Sequence, residues 1–137
     1  MTIYERLQTD QRAICQLLAR LSETASGQVM LRRILFAKLR HELLRHAQTE
    51  QDLFYPALLE QGVDKEMVFD ALEDHAVFAF MLGEVETLSV SDGKWLEALN
   101  DLSQAVQRHF QMEEDVIFER AREILPDVEL GEPMIEQ

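Results

Sequence analysis

The chain has 137 residues, 47% of them hydrophobic and 28% charged, with only five Gly and three Pro to interrupt helices. That is enough for one domain and a core, not for two, and the composition is that of an all-α protein. A formal net charge of −13 argues against nucleic acid or an anionic membrane as partner, and the single cysteine, Cys15, excludes an intrachain disulfide. No apolar run approaches bilayer-spanning length, and the opening Met1-Thr-Ile-Tyr-Glu-Arg6 lacks the apolar segment of a leader, so a cytoplasmic location is expected.

Residues 2 to 22 read as a first helix, with Ile3, Leu7, Gln11, Ile14, Leu18 and Leu21 spaced by fours and threes. Gln11 interrupts an otherwise apolar stripe. The Ser22 to Gly27 segment has turn composition. Residues 28 to 60 form one long periodic segment closed by Gly62, and Pro56, whose ring and missing N–H disturb a helix, should kink it or begin a looser final turn there. Its inward stripe is Leu35, Leu39, Leu43, His46, Glu50, Leu53 and Ala57.

Asp64 is a plausible N-cap for a third helix over 65 to 89, with Val68, Leu72, His75, Ala79, Leu82 and Val85 on one face. The segment from Ser89 to Gly93 is the next turn. Residues 94 to 125 carry a fourth stripe, from Trp95 and Leu99 through His109 and Glu113 to Val116, Arg120 and Ile124. Pro126 should end it. The domain is then residues 1–126, and residues 127–137 are an acidic tail expected to be mobile or loosely docked.

Four amphipathic helices joined by short turns should pack as an antiparallel, up-down four-helix bundle. Each helix breaks its own stripe with a polar group: Gln11; the pair His46 and Glu50; His75; the pair His109 and Glu113. A His and a Glu four apart lie on one helical face, so both can reach the same point. At about 1.5 Å per residue, His46 is ~24 Å before Gly62 and His75 ~16 Å after Asp64, heights that a kink at Pro56 can reconcile. A carboxylate inside a core stripe must be matched by a proton, a cation or a metal. Imidazoles with bridging carboxylates suit iron, manganese or zinc. Taken singly, each pair is equally compatible with an inward i,i+4 ion pair.

The pattern His46-x-x-x-Glu50 followed by Phe54-Tyr55-Pro56, then Glu73-Asp74-His75 and His109-x-x-x-Glu113-Glu114, resembles the hemerythrin-like family, the HHE cation-binding domain, over residues 3 to 125. The resemblance implies a four-helix bundle holding a non-haem di-iron site. Such sites bind or sense oxygen or nitric oxide, store or deliver iron, or repair iron centres. Carried across, His46, His75 and His109 match histidine ligands, and Glu50 and Glu113 match bridging carboxylates. Glu114 is a further candidate, since some members place that carboxylate one residue later.

Two positions depart from the family pattern. Family members usually carry Asp-His on the first helix, where this chain has Asp10-Gln11, and oxygen carriers have a second histidine where this chain has Ala79. Gln11 is then a weak ligand, a hydrogen-bond partner for a bridging Glu, or the mark of a degenerate site. One metal position should bind well, through His75 and His109, and the other weakly, with His46 as its nitrogen.

The expected function is a non-enzymatic iron protein with oxygen or nitric oxide as small ligand. The competing readings are a di-iron redox or repair enzyme, and a partner-binding bundle whose site is vestigial or holds zinc. A homodimer fits any of these, and the basic residues Arg32, Arg33, Lys38, Arg40 and Arg45, expected on a solvated face, could seat an acidic protein partner. Elsewhere, His41 should be exposed, Glu42 could orient His46, Cys15 should pack as a small core residue, and Asp74 is left outside the ligand set.

Overall fold

A computed structural model describes residues 1–125; the acidic tail inferred for 127–137, and Pro126, lie outside the described residues. Helix α1 spans Ile3–Ser22, α2 Val29–Thr49, α3 Tyr55–Glu60, α4 Lys65–Glu86, α5 Gly93–Met112 and α6 Phe118–Ile124. Chemistry at the chain ends of the helices explains several of these limits. Thr2 and Glu5 form a reciprocal capping box, with Glu5 N–H donating to Thr2 Oγ1 (3.1 Å) and Thr2 N–H donating to Glu5 Oε1 (3.0 Å). Asp64 and Asp92 cap α4 and α5 by accepting from Glu66 and Lys94 N–H. Gly62, at φ 84°, makes the left-handed turn after α3 that a side chain would resist.

Long-range contacts order the helices as a ring. Tyr4 O–H donates to Leu125 O and Gln8 to Glu114, so α1 runs antiparallel to the α5–α6 rod. Arg40 pairs with Glu86 while Gln51, farther along, meets His75, which sets α2 antiparallel to α4. The bundle is therefore four antiparallel helical rods, as the spacing predicts, with no helix among the described residues long and apolar enough to cross a membrane.

The rods differ from the predicted ones in two places. Between α2 and α3, Glu50–Phe54 winds as a π turn in which Tyr55 N–H reaches back to Glu50 O, and between α5 and α6, Glu113–Ile117 does the same toward Phe118. The kink or looser turn expected at Pro56 takes the form of a π bulge just before it, and the proline sits at the start of the following helix, where no N–H is needed. Proline is not the general cause, because the second bulge has none. Each bulge inserts one residue, shifting the helical phase by about 100°. The inward stripe consequently moves by one position. Phe54 and Leu58 are buried instead of Leu53 and Ala57, and Ile117 and Ala121 instead of Val116 and Arg120. On α4, Phe78 is buried and Ala79 is exposed, the reverse of the predicted stripe, so the side chain over His75 and His109 is an aromatic ring.

The core is split into two apolar halves. One, around Trp95, Leu39, Leu82 and Leu102, fills the end near the α1–α2 and α4–α5 turns. Arg32 is not on a solvated face but buried at this end, donating to Thr24 Oγ1 at 2.9 Å and to Val90 O, with its guanidinium over the Trp95 ring. The other half, around Tyr4, Phe54, Leu58 and Phe118, fills the opposite end with edge-to-face rings. Between them lie the buried polar residues Gln11, His46, Glu50, His75, His109 and Glu113.

Candidate metal centre

Both His-Glu pairs end an α-helix where a π turn begins, Glu50 and Glu113 being the first residues of the two bulges. His46 Nε2 lies 3.5 Å from Glu50 Oε1, and His109 Nε2 lies 3.5 Å from Glu113 Oε1. His75 Nε2 is 3.0 Å from Glu50 Oε1. Two sets of donor atoms therefore cluster within 4.8 Å of one another: Glu50, His75 and His109 in one, His46, Glu50 and Glu113 in the other. Glu50 belongs to both. The five residues named from the sequence meet at one depth, and all five are buried.

Each histidine is held from behind. Nδ1 of His46 faces Asp10 Oδ2 at 3.4 Å, Nδ1 of His75 faces Gln51 Oε1 at 3.0 Å, and Nδ1 of His109 faces Asp74 Oδ2 at 2.8 Å. An acceptor at Nδ1 holds the proton there and turns the Nε2 lone pair toward the interior, the arrangement of a metal-ligating imidazole. Asp10 itself is pulled two ways. Burial raises its carboxyl, but His46, Arg6 and Arg45 outweigh that and hold it below the ordinary range.

The carboxylates are under the opposite strain. Burial raises Glu50 from 4.5 to about 7, against the opposing pull of the neighbouring Glu113 and Tyr55 side chains. Burial also raises Glu113 well above 4.5, and the neighbouring charge of Glu50 adds to it. Burial lowers His75 to about 4, so this imidazole stays neutral near pH 7. With Nδ1 facing the Gln51 amide oxygen, His75 turns its Nε2 lone pair toward Glu50 Oε1, 3.0 Å away, where a Glu50 carboxyl that keeps its proton can donate to it.

Glu113 differs from Glu50 in its partners. Its Oε1 accepts from Gln11 Nε2 at 3.0 Å and its Oε2 from the Tyr55 hydroxyl at 2.6 Å. The Tyr55 ring stacks on His75 with centroids 5.6 Å apart, and burial together with the two carboxylates pushes its phenol up. Glu50 Oε2, His46 Nε2 and His109 Nε2 are buried and accept no hydrogen bond. Leaving such atoms bare costs about 1–3 kcal/mol each unless something binds them. Two imidazole nitrogens and one carboxylate oxygen, all unpartnered and converging, fit a borderline cation such as iron, zinc or manganese.

Other expectations resolve differently. Glu114 is exposed and accepts from Gln8 Nε2 at 3.0 Å, so it stands outside the cluster. Gln11 lies within it, but through its amide donor. Glu42 pairs with Arg45 at 2.6 Å and does not orient His46, and Asp74 supports His109 across the α4–α5 seam, not its neighbour His75. His41 is exposed as expected, and Cys15 is half-buried with its thiol raised by burial. Spacing does not single out Asp10, Gln51 or Tyr55 as site residues. Asp10 and Tyr55 are visible only as parts of the family-like pattern, in Asp10-Gln11 and Phe54-Tyr55-Pro56, and Gln51 carries no such signal.

Antiparallel helical rods with a buried His/Glu layer at mid-height define a helical-bundle cation-binding class. The hemerythrin HHE cation-binding domain model matches residues 2–122, and the chain belongs to that family. It is also similar to the crystal structure of a hemerythrin HHE cation binding domain-containing protein from Mycobacterium kansasii, with TM-score 0.78 and 23% identity, covering 98% of this chain and 78% of that one. That likeness speaks for the fold. No curated protein matches the chain significantly.

Proposed function

We propose that this protein is a non-haem iron-binding protein whose centre takes oxygen or nitric oxide as small ligand. The observation that carries the reading is the convergence of bare, buried His46 Nε2, His109 Nε2 and Glu50 Oε2. His75, His109 and Glu50 would hold one iron, and His46, Glu50 and Glu113 the other. Bound iron would supply an open coordination position for a diatomic ligand and a reversible change of oxidation state. The chain's own residues do the rest. Asp10, Gln51 and Asp74 fix the imidazoles, Glu50 would give up its proton and offer a carboxylate common to both donor sets, and Phe78 and Phe110 exclude water from the histidines.

The two positions are unequal. The first has two nitrogen donors and an oxygen. The second has one nitrogen, and its Glu113 is already engaged by Gln11 and Tyr55. Full occupancy of the first and partial occupancy of the second is the expected pattern. The test is elemental analysis of protein produced with iron available and never exposed to chelator, followed by nitric oxide under anaerobic conditions. One to two irons per chain and a nitrosyl electron-paramagnetic signal support the reading. Zinc in place of iron would favour the partner-binding alternative, for which the same donor set is suitable.

A further inference from the structure

We propose that the groove between α1 and α5 is the entrance by which a divalent cation reaches the centre, with Gln11 as its gate. The proposal rests on the metal-binding reading above. The groove has a volume of about 420 Å³, and its walls include Gln8, Arg12 and Cys15 from α1 and Gln107 and Gln111 from α5. Gln11 and Phe110 line it as well, and these two also touch the centre. Gln11 donates to Glu113, and Phe110 packs edge-on against His46 with centroids 5.5 Å apart. One layer of side chain therefore separates the groove from a ligand atom of each kind.

The lining suits an ion in transit. Four glutamine carbonyls and the Glu114 carboxylate are hard oxygen donors that can replace hydration water one at a time, and the Arg12 guanidinium offsets the Glu114 charge, so the lining has no net charge to trap a cation short of the centre. The Gln8–Glu114 hydrogen bond closes the groove toward the α6 end. At the inner end, breaking the Gln11–Glu113 bond frees Glu113 Oε1 and swings in an amide oxygen, so the gate exchanges one donor for another as the ion passes.

Two neighbouring seams are closed or misdirected. The α1–α2 seam at this depth is occupied by Asp10 with Arg6 and Arg45. A second groove, between α4 and α5, touches His109, but beside Asp74, which takes the Nδ1 side of the ring. An ion there would meet the back of the imidazole, away from Nε2.

The experiment is stopped-flow uptake of cobalt(II) by the metal-free protein, read by ligand-field absorption, with folding checked by far-ultraviolet circular dichroism. Gln107→Trp and Gln111→Trp narrow the groove without touching the centre, and should slow uptake by about tenfold while leaving the final cobalt content unchanged. Val77→Trp, in the α4–α5 groove, should leave the rate as it is, and Gln11→Ala should raise it. Equal rates in the unmodified chain and both groove variants would overturn the entrance, as would slowing by Val77→Trp alone. Failure of the unmodified chain to take up any cobalt would overturn the metal-binding reading itself, and the entrance with it.

Discussion

Replacing Glu50 by Gln should stabilise the metal-free protein while removing most of its metal binding. Glu50 is fully buried, and burial is the main reason its carboxyl titrates at about 7 instead of 4.5. An acid whose pKa is raised on folding holds its proton more tightly in the folded state. The resulting contribution is fully present below about 4.5 and is lost as the pH rises through about 7. At pH 8 the folded protein carries a buried carboxylate at a cost of about 3 kcal/mol, whereas at pH 5 the cost is below about 1 kcal/mol. Glutamine keeps the shape without the charge, and its amide can donate to His75 Nε2 as the protonated acid does. The expected result for chelator-stripped proteins is a melting temperature on the order of 10 °C higher for Glu50→Gln at pH 8, and little difference at pH 5. Differential scanning calorimetry at the two pH values, with metal content measured alongside, is the assay. A stripped Glu50→Gln protein that melts below the parent at pH 8 would refute the account of the buried charge.

Metal should reverse that pH trend: because a cation must displace the protons of Glu50 and Glu113, affinity measured by competition with a chelator should rise steeply between about pH 5.5 and pH 8, with proton release detectable in weakly buffered solution. Gln11→His should raise the metal content toward two per chain by giving the second position another nitrogen; an unchanged content by elemental analysis would show that the first helix does not set the asymmetry. Asp10→Asn and Asp74→Asn should each weaken metal binding by roughly 10- to 100-fold through a mis-set imidazole, read as a shift in the chelator-competition midpoint. His109→Ala should cost most of the bound metal, since it deletes one of the three atoms left without a hydrogen bond.

The chain's periodicity was sufficient to determine the helices, their antiparallel packing and the inward placement of Gln11, His46, Glu50, His75, His109 and Glu113. These are local properties. A 3.6-residue period places a side chain on a face whatever that face meets, and a short turn leaves the next helix little choice of direction. The two His-x-x-x-Glu pairs were legible for the same reason, because each is one turn of a regular helix up to its glutamate.

The segments downstream of the two pairs were not legible in this way. The π turns at Glu50 and Glu113 rotate the inward stripe, burying Phe54 and Ile117 where an uninterrupted helix would have buried Leu53 and Val116. An extra residue per turn is unfavourable locally and is held in place by the surfaces the rods pack against, so nothing in the spacing announces it. The partners of the imidazoles are also tertiary. Asp10, Gln51 and Asp74 each act on a histidine of another helix, and Gln11 and Tyr55 meet on Glu113 from different rods. Sequence named the atoms able to bind a cation. Only the packing of four rods decided which carboxylate is left free to do so, because hydrogen-bond satisfaction across a buried layer depends on every helix that lines it.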